Sequence, residues 1–442
     1  MTPPRTPTRA EAFRYWFRLG WISFGGPAGQ IAIMHRELVD EKRWISEARF
    51  LHALNFCMVL PGPEATQLAT YIGWLMHRTW GGLVAGILFV LPSLVVLIAL
   101  SWIYLAFGSV PAIAGVLYGI KPAVVAIVLH AAWRIGTRAL KHPLLWLIAA
   151  AAFVAIFAFG VPFPAIVAGA AVAGAIGGRY APRAFAGPRS HGAGGAPHPP
   201  ALIDDATPTP PHARYAPARL AAVAGAFLLL WALALGALAL RYGWDGALTQ
   251  MGWFFTKAAL LTFGGAYAVL PYVYQGAVDT YGWLTPGQMI DGLALGETTP
   301  GPLIMVVAFV GFVGNAAHAQ ASAALFAAGA AGAGVATFFT FLPSYLFILA
   351  GGPLVESTHG QVRFTAPLTG ITAAVVGVIV NLAVFFAWHV FVPSGKDGAI
   401  DGVAIALAAA AAVALFCCKA RVIPVIAACG LAGLVIGLAR SG

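Results

Sequence analysis

Two short strings occur twice in this chain at one constant spacing, and that duplication restricts its fold more than any other feature. Phe24-Gly25-Gly26 returns as Phe263-Gly264-Gly265, and Pro61-Gly62-Pro63 returns as Pro300-Gly301-Pro302. Both pairs lie 239 positions apart (263 − 24 and 300 − 61). Trp44 and Trp283 keep the same spacing, and so do Arg18 and Lys257. Glycine breaks, proline breaks and cations in apolar surroundings thus recur in step, which indicates two homologous halves. Further along, Gly-Ile-Lys-Pro-Ala-Val-Val from Gly119 matches Gly-Ile-Thr-Ala-Ala-Val-Val from Gly370, and Pro92-Ser93 matches Pro343-Ser344, at a spacing of 251 (370 − 119 and 343 − 92). The second half therefore gains 12 residues (251 − 239), in the Ala/Gly-rich stretch before Pro343.

Composition supplies the solvent for this fold. Sixty per cent of residues are hydrophobic and 9% are charged, with a mean hydropathy of +0.85. A soluble domain carries about 25% charged residues, so this chain cannot cover a water-facing surface. Apolar runs at 82–107, 113–133, 219–240, 321–350 and 365–392 approach or exceed the ~20 residues that span a bilayer. The runs are continuous rather than alternating, which excludes a β-barrel. The expectation is an all-α polytopic membrane protein. Residues 1–11 are polar and no small-residue cleavage site follows a short apolar core, so no cleavable signal peptide is expected. Part of the net charge of +10 (25 − 15) reflects cytoplasmic loops, so it does not point to nucleic acid.

The chain divides into a first repeat, 1–177; a linker, 178–218; an additional apolar run, 219–240; and a second repeat, 247–442. The linker is rich in Pro, Gly, Ala and Arg and is expected to be disordered and cytoplasmic. Its His191, His198 and His212 read as a solvated tract rather than a metal site. The run 219–240 has no counterpart in the first half. If each half crosses an even number of times, this one extra crossing inverts the second half. Charge supports inversion: 35–49 carries Arg36, Lys42, Arg43 and Arg49, whereas the equivalent 271–288 carries no Lys or Arg. Pro61-Gly62-Pro63 splits 50–76 into pieces of roughly 11 and 13 residues, each near half a bilayer. Re-entrant segments place the basic loops 35–49, 77–81, 134–142 and 178–218 all inside. That arrangement has about nine crossings, against thirteen if every piece spans. The N-terminus is then cytoplasmic and the C-terminus periplasmic or extracellular, in a bacterial-type inner membrane.

Inverted repeats with paired helix breaks place a transporter's site near the midplane, where the breaks meet. A broken helix leaves N–H groups free at one end, and that end favours anions. Phe24, Gly25, Gly26, Pro61, Gly62 and Pro63, with Phe263, Gly264, Gly265, Pro300, Gly301 and Pro302, are the candidate anion cradle. The bland alternative is a set of kinks and packing points. Arg18 and Lys257 each precede a Phe-Gly-Gly by six residues and would supply positive charge at depth, unless their long side chains snorkel to the interface. Thr298 and Thr299 could donate to an oxyanion or bond their own backbone. Glu64 and Glu297 flank the breaks and are proton-coupling candidates; their alternatives are helix caps or partners for the cations. Lys121 has Thr372 as its counterpart and so ranks lower. Cys57, Cys417, Cys418 and Cys429 sit in apolar runs without metal-ligand spacing. No H-E-x-x-H, G-x-S-x-G or P-loop is present, so neither an enzyme nor a resident cofactor or metal is expected.

These strings resemble the chromate ion transporter family in its long, two-domain form. The matching features are Phe24-Gly25-Gly26-Pro27 and the stretch through Trp44, Leu60-Pro61-Gly62-Pro63, Thr262-Phe263-Gly264-Gly265 and Thr299-Pro300-Gly301-Pro302. Both halves are covered, essentially everything except the linker. The resemblance implies export of chromate from the cytoplasm, driven by membrane potential or a proton gradient and conferring resistance. Sulfate is close to chromate in shape and charge, so a general oxyanion carrier is the first alternative and a small-anion channel the second. Single-domain relatives are thought to work in pairs, which leaves a homodimer open here. The halves differ at one motif position, Pro27 against Ala266.

Overall fold

The computed structural model describes residues 4–24, 26–185, 200–204, 207–208, 210–318, 324–358, 365–393 and 399–441. Gly25, His191 and His198 lie outside the described residues. Within them the chain is all-α, and its only β pairing is an isolated parallel bridge between Ile45 and Ile203. Seven of the described helices are long and apolar enough to cross a membrane, and three shorter apolar helices accompany them. Together with the family assignment below, this makes the chain a multi-pass membrane protein.

The order of elements repeats. In the first half, α1 (Arg9–Ile22), α2 (Gly26–His35), α3 (Glu47–Val59), α4 (Glu64–Phe107), α5 (Pro111–Ala139), α6 (Pro143–Phe159) and α7 (Phe163–Tyr180) follow one another. A short α8 (Pro182–Phe185) and the long α9 (Pro217–Tyr242) come next. The second half runs α10 (Ala247–Leu260), α11 (Ala266–Tyr274), α12 (Pro286–Thr298), α13 (Val306–Ala316), α14 (Leu325–Thr358), α15 (Thr365–Phe391), α16 (Gly402–Phe416) and α17 (Val422–Ser441). The correspondence reaches fine detail. A six-residue π-helical stretch follows α2 at Arg36–Glu41 and follows α11 at Gln275–Thr280, again 239 positions on (275 − 36). Ser46 caps α3 and Thr285 caps α12, each side chain accepting from a backbone N–H three residues later.

One apparent mismatch resolves into a match. α4 has 44 residues, about 66 Å if straight, far beyond a ~30 Å hydrocarbon core. It is not straight. His77 and Arg78 leave helical geometry, Arg78 with φ 59°. The chain reverses there, so that a Cβ placed on Gly73 would sit 2.5 Å from the Gly81 carbonyl oxygen. Its two arms are the counterparts of α13 and α14, which form the same hairpin with Gly311 against Gly332.

The halves are interlocked rather than juxtaposed. α5 of the first half packs on α16 and α17 of the second, and α15 of the second packs on α6 and α7 of the first. Small residues make these crossings. A Cβ on Gly119 would lie 2.0 Å from the Cys429 carbonyl oxygen, and one on Gly370 would lie 2.4 Å from that of Ala170. Lipid tails are as apolar as Leu, so membrane helices associate through such close approach rather than through hydrophobic burial. α9 stands apart: only Leu235 of it is buried.

Part of the linker makes defined contacts, while 186–199 lie outside the described residues. Pro182–Phe185 is helical with Phe185 buried, and residues 200–204 lie along the first half. There the Ile203 and Leu202 N–H groups donate to the Trp44 and Arg43 carbonyls, and the Ser46 N–H donates to Ile203. Arg49 reaches the Asp204 and Thr207 carbonyls while pairing with the buried Glu356 of α14 at 2.5 Å. His212 bonds the Trp74 carbonyl at 3.0 Å and meets the Trp74 ring edge-on. Composition suggested disorder because this segment cannot form a core of its own. Its described residues borrow one, with backbone hydrogen bonds and a few apolar side chains seated against both halves.

The glycine crossings yield a direct test. Gly119→Leu and Gly370→Leu should each prevent recovery of monodisperse detergent-solubilised protein, because the clash is with backbone. Gly136→Ala, where the nearest atom is an ordinary 3.4 Å away, should be neutral or stabilising by up to ~1 kcal/mol through helix propensity. Thermal unfolding followed by size-exclusion chromatography reads both.

Candidate substrate-binding site

Each of the two Pro-Gly-Pro breaks docks against the other half. The Gly62 N–H donates to the Thr262 carbonyl at 2.8 Å, and the Gly301 N–H donates to the Ser23 carbonyl at 2.7 Å. Ser23 and Thr262 are equivalent residues, and so are Gly62 and Gly301. The same exchange holds for side chains. Gly62 faces Ser344, and Gly301 faces Ser93, the repeated serines that follow Pro343 inside α14 and Pro92 inside α4. Both glycines have positive φ, 127° and 105°. A side chain there would be strained and would also strike the opposing serine, so this contact requires glycine.

Around this crossing lie buried polar side chains whose bonding capacity is only partly used. Gln30 donates to the Gly301 carbonyl at 2.5 Å and to the Ser23 carbonyl at 3.4 Å, yet its Oε1 has no partner. Gln67 donates to the Pro61 carbonyl at 2.8 Å and the Ser344 hydroxyl at 3.4 Å, and its Oε1 is also unpartnered. The Ser23 and Ser93 hydroxyls have no partner either. All four residues are fully buried. Unsatisfied buried polar atoms are costly and rare, and they mark places where water or an ion completes the shell. Beside them, the second-half cradle is open. Gly265 has φ 96° and nothing within 4 Å of an added Cβ. The N–H groups of Gly264, Gly265 and Ala266 meet no acceptor among the described residues, at the start of α11. In the first half, Gly26 is likewise open (φ 68°), but Pro27 carries no N–H.

The candidate residues do not all converge. Phe24 is exposed and Phe263 half-buried, while Pro63, Pro300 and Pro302 are buried at the crossing and Pro61 is half-buried. Arg18 is 61% exposed and pairs with the buried Glu37 at 2.6 Å. Lys257 is half-buried, sits 5.6 Å over the Trp253 ring and has no carboxylate partner among the described residues. Neither cation bonds a motif residue. The Thr298 and Thr299 hydroxyls donate to the Leu295 and Gly296 carbonyls of their own helix. Glu297 accepts from the Tyr267 hydroxyl. Glu64 is half-buried with no partner among the described residues.

Sequence reading missed Gln30, Gln67, Ser23 and Ser93, although Pro92-Ser93 and Pro343-Ser344 were visible as a repeat. The usable signal was uncharged polar residues in otherwise apolar helices beside the breaks. It also missed the Lys121–Asp291 pair, which joins the halves at 3.3 Å with Tyr104 donating to Asp291 at 3.0 Å. That pair lines a cavity of about 510 Å³ together with Tyr118, His389 and Asp401.

Comparison with known proteins agrees with this architecture. The chromate transporter family model matches residues 10–175 and 249–434, one match in each half. A chromate transport protein of Pseudomonas aeruginosa is 34% identical over 437 residues, covering 96% of this chain and 92% of the relative. One from Cupriavidus metallidurans is 30% identical over 386 residues, covering 86% and 83%. A probable chromate transport protein of Synechococcus elongatus is 29% identical over 376 residues, covering 84% and 82%. No solved structure matches the chain. By its duplicated breaks, its membrane helices and these matches, the chain belongs to the chromate transporter family, in the long two-domain form.

Proposed function

We propose that this protein is a secondary active transporter that exports chromate from the cytoplasm across a bacterial-type inner membrane and so confers chromate resistance. The observation that carries the reading is the reciprocal crossing at Gly62 and Gly301, with free N–H groups at Gly264–Ala266 and unpartnered polar atoms around it. A tetrahedral dianion needs many hydrogen-bond donors and modest positive charge, and α11 presents its N-terminus there. The opposing Pro-Gly-Pro segments close the other wall. Lys257, uncommitted to any carboxylate among the described residues, supplies charge, and Arg18 does so from the paired position on α1. Two arrangements of a symmetric crossing, one open to each side, provide alternating access.

The membrane potential favours this direction. Moving each negative charge out of a negative interior yields about 2.3 kcal/mol per 100 mV, hence ~4.6 kcal/mol for a dianion. Potential alone can drive export. Glu64 and Glu297, beside the breaks, are where a proton would couple. The repeats are read as inverted. α9 supplies one odd crossing between them, and reciprocal contacts are what a two-fold relation between halves produces. With the basic loop 35–49 inside, the N-terminus is cytoplasmic and the C-terminus periplasmic. The short lengths of α3, α12 and α13 favour re-entrant segments and about nine crossings.

Transport is measured as radiolabelled chromate uptake into inside-out vesicles. Uptake should require the potential and be inhibited only weakly by excess sulfate; strong sulfate competition would make the protein a general oxyanion carrier. Lys257→Ala should lower uptake roughly tenfold or more, and Arg18→Ala should lower it less, because Glu37 already engages that guanidinium. Wild-type rates from both variants would remove the cations from the site. Topology is tested with single cysteines at the equivalent exposed positions Glu41 and Thr280, in a background lacking the native cysteines. Membrane-impermeant reagents should label them from opposite sides; labelling from the same side would end the inverted arrangement.

A further inference from the structure

A second polar recess lies at the start of the first half and shares Arg18 with the site proposed above. It is a groove of about 440 Å³ between the N-terminal segment, α1 and the chain after α2. The segment forming its outer wall is fixed in place. Thr8 and Glu11 form a capping box at the head of α1, and the Pro7 carbonyl meets His77 Nε2 at 3.0 Å. Four cations line the groove: Arg5, Arg14, Arg18 and Lys42.

Charge accounting separates them. Arg5 pairs with Glu11 at 2.5 Å, the one carboxylate in the lining, whose other oxygen accepts from the Thr8 N–H and hydroxyl. Arg18 pairs with Glu37, which does not line the groove. Arg14 and Lys42 have no carboxylate partner among the described residues; Lys42 instead lies over the Tyr15 and Trp44 rings at 5.7 and 5.4 Å. Two positive charges are thus left unbalanced. Independently, the Tyr15 hydroxyl is buried in the wall of this groove and has no hydrogen-bond partner. Tyr15 is only 5% exposed. Lys42 lies over the ring that carries this hydroxyl, Arg18, Glu37 and Glu41 are within its electrostatic reach, and it remains a donor without an acceptor.

The second half shows what the fold looks like without such a site. The counterparts of Arg14, Tyr15, Lys42 and Trp44, 239 positions on, are Trp253, Phe254, Tyr281 and Trp283. There Tyr281 stacks on Trp283 at 4.4 Å and Phe254 meets the same indole edge-on. Both unbalanced cations and the hydroxyl are gone, and packed rings take their place. The first half keeps the Tyr15–Trp44 ring contact but carries cations at the other two positions.

We propose that this groove binds a tetrahedral oxyanion group, with Arg14 and Lys42 neutralising its charge and the Tyr15 hydroxyl donating a hydrogen bond to it. The chemistry is that of a free sulfate-like dianion or of a phospholipid phosphate. For the free ligand the proposal rests on the transport reading above, where the groove would collect cargo on the first-half side. Present in only one half, it makes the two sides of the carrier unequal.

The test uses the full-length protein, delipidated in detergent, with radiolabelled sulfate as probe and no transport step. Wild type should bind sulfate saturably. Arg14→Gln/Lys42→Gln should raise the Kd at least about tenfold. Tyr15→Phe, which installs the residue the other half already carries, should raise it severalfold without changing the unfolding temperature. In a parallel arm the protein is held in phosphatidylglycerol or phosphatidylcholine nanodiscs and the lipid retained through extraction is measured. Retention of phosphatidylglycerol by wild type and not by the double variant, without sulfate binding, assigns the groove to a headgroup phosphate. Sulfate binding that persists unchanged in the double variant belongs to the crossing and overturns the groove. So does the absence of both ligands. Because binding is read without transport, failure here leaves the export reading to its own vesicle assay.

Discussion

Two backbone hydrogen bonds, from Gly62 to Thr262 and from Gly301 to Ser23, organise this molecule. Each ties a helix break in one half to the end of the first helix in the other. A break at membrane depth exposes backbone groups that lipid cannot satisfy, and each unsatisfied group costs several kcal/mol. Either half alone would leave its breaks incomplete. Exchanging partners satisfies one donor in each, and the exchange is possible only because both halves carry the same break at the same spacing. The duplication is therefore a condition of the fold as well as a trace of its origin.

The reciprocal theme extends outward from that point. α5 crosses into the second half and α15 into the first, with glycine at the tight contacts on both. The described linker residues 200–204, 207–208 and 210–213, with the buried Arg49–Glu356 pair, add a third tie between halves. Such pairs are costly to desolvate, and this one is compensated by further bonds from Tyr71 and two linker carbonyls. Against this fastened framework, the polar atoms left unpartnered at the crossing stand out. Four of the eleven buried side-chain atoms without a partner among the described residues, on Ser23, Gln30, Gln67 and Ser93, belong to this one crossing, where the transported ion is proposed to sit.

Departures from symmetry are as informative as symmetry. Pro27 removes a donor that Ala266 retains, so the second-half cradle offers more N–H groups than the first. Arg14 and Lys42 stand where Trp253 and Tyr281 pack. Lys121 meets Asp291 while their counterparts, Thr372 and His52, carry no such pair among the described residues. These positions are where the equivalence of the two halves is lost.

The all-α membrane class and the two halves were legible in the sequence, because apolar run length and repeated breaks are one-dimensional signals. The caps Ser46 and Thr285 act within three residues, a local signal that the reading of the sequence left unused. Which atoms surround the crossing was not legible. Gln30 and Gln67 matter through Gly301 and Ser344, over 270 positions away in sequence. Composition shows that the linker has no core of its own; that its described residues lie against Trp44, Arg49 and Trp74 is visible only in the fold. Arg18 could be seen as a cation in an apolar helix, but only the fold gives it Glu37 as a partner. The sequence by itself determined the solvent, the repeat and the places where helices must break, all of which follow from local chemistry. Tertiary structure alone decided which break meets which, and which polar atoms are left without partners, because those depend on contacts between segments that share no local signal.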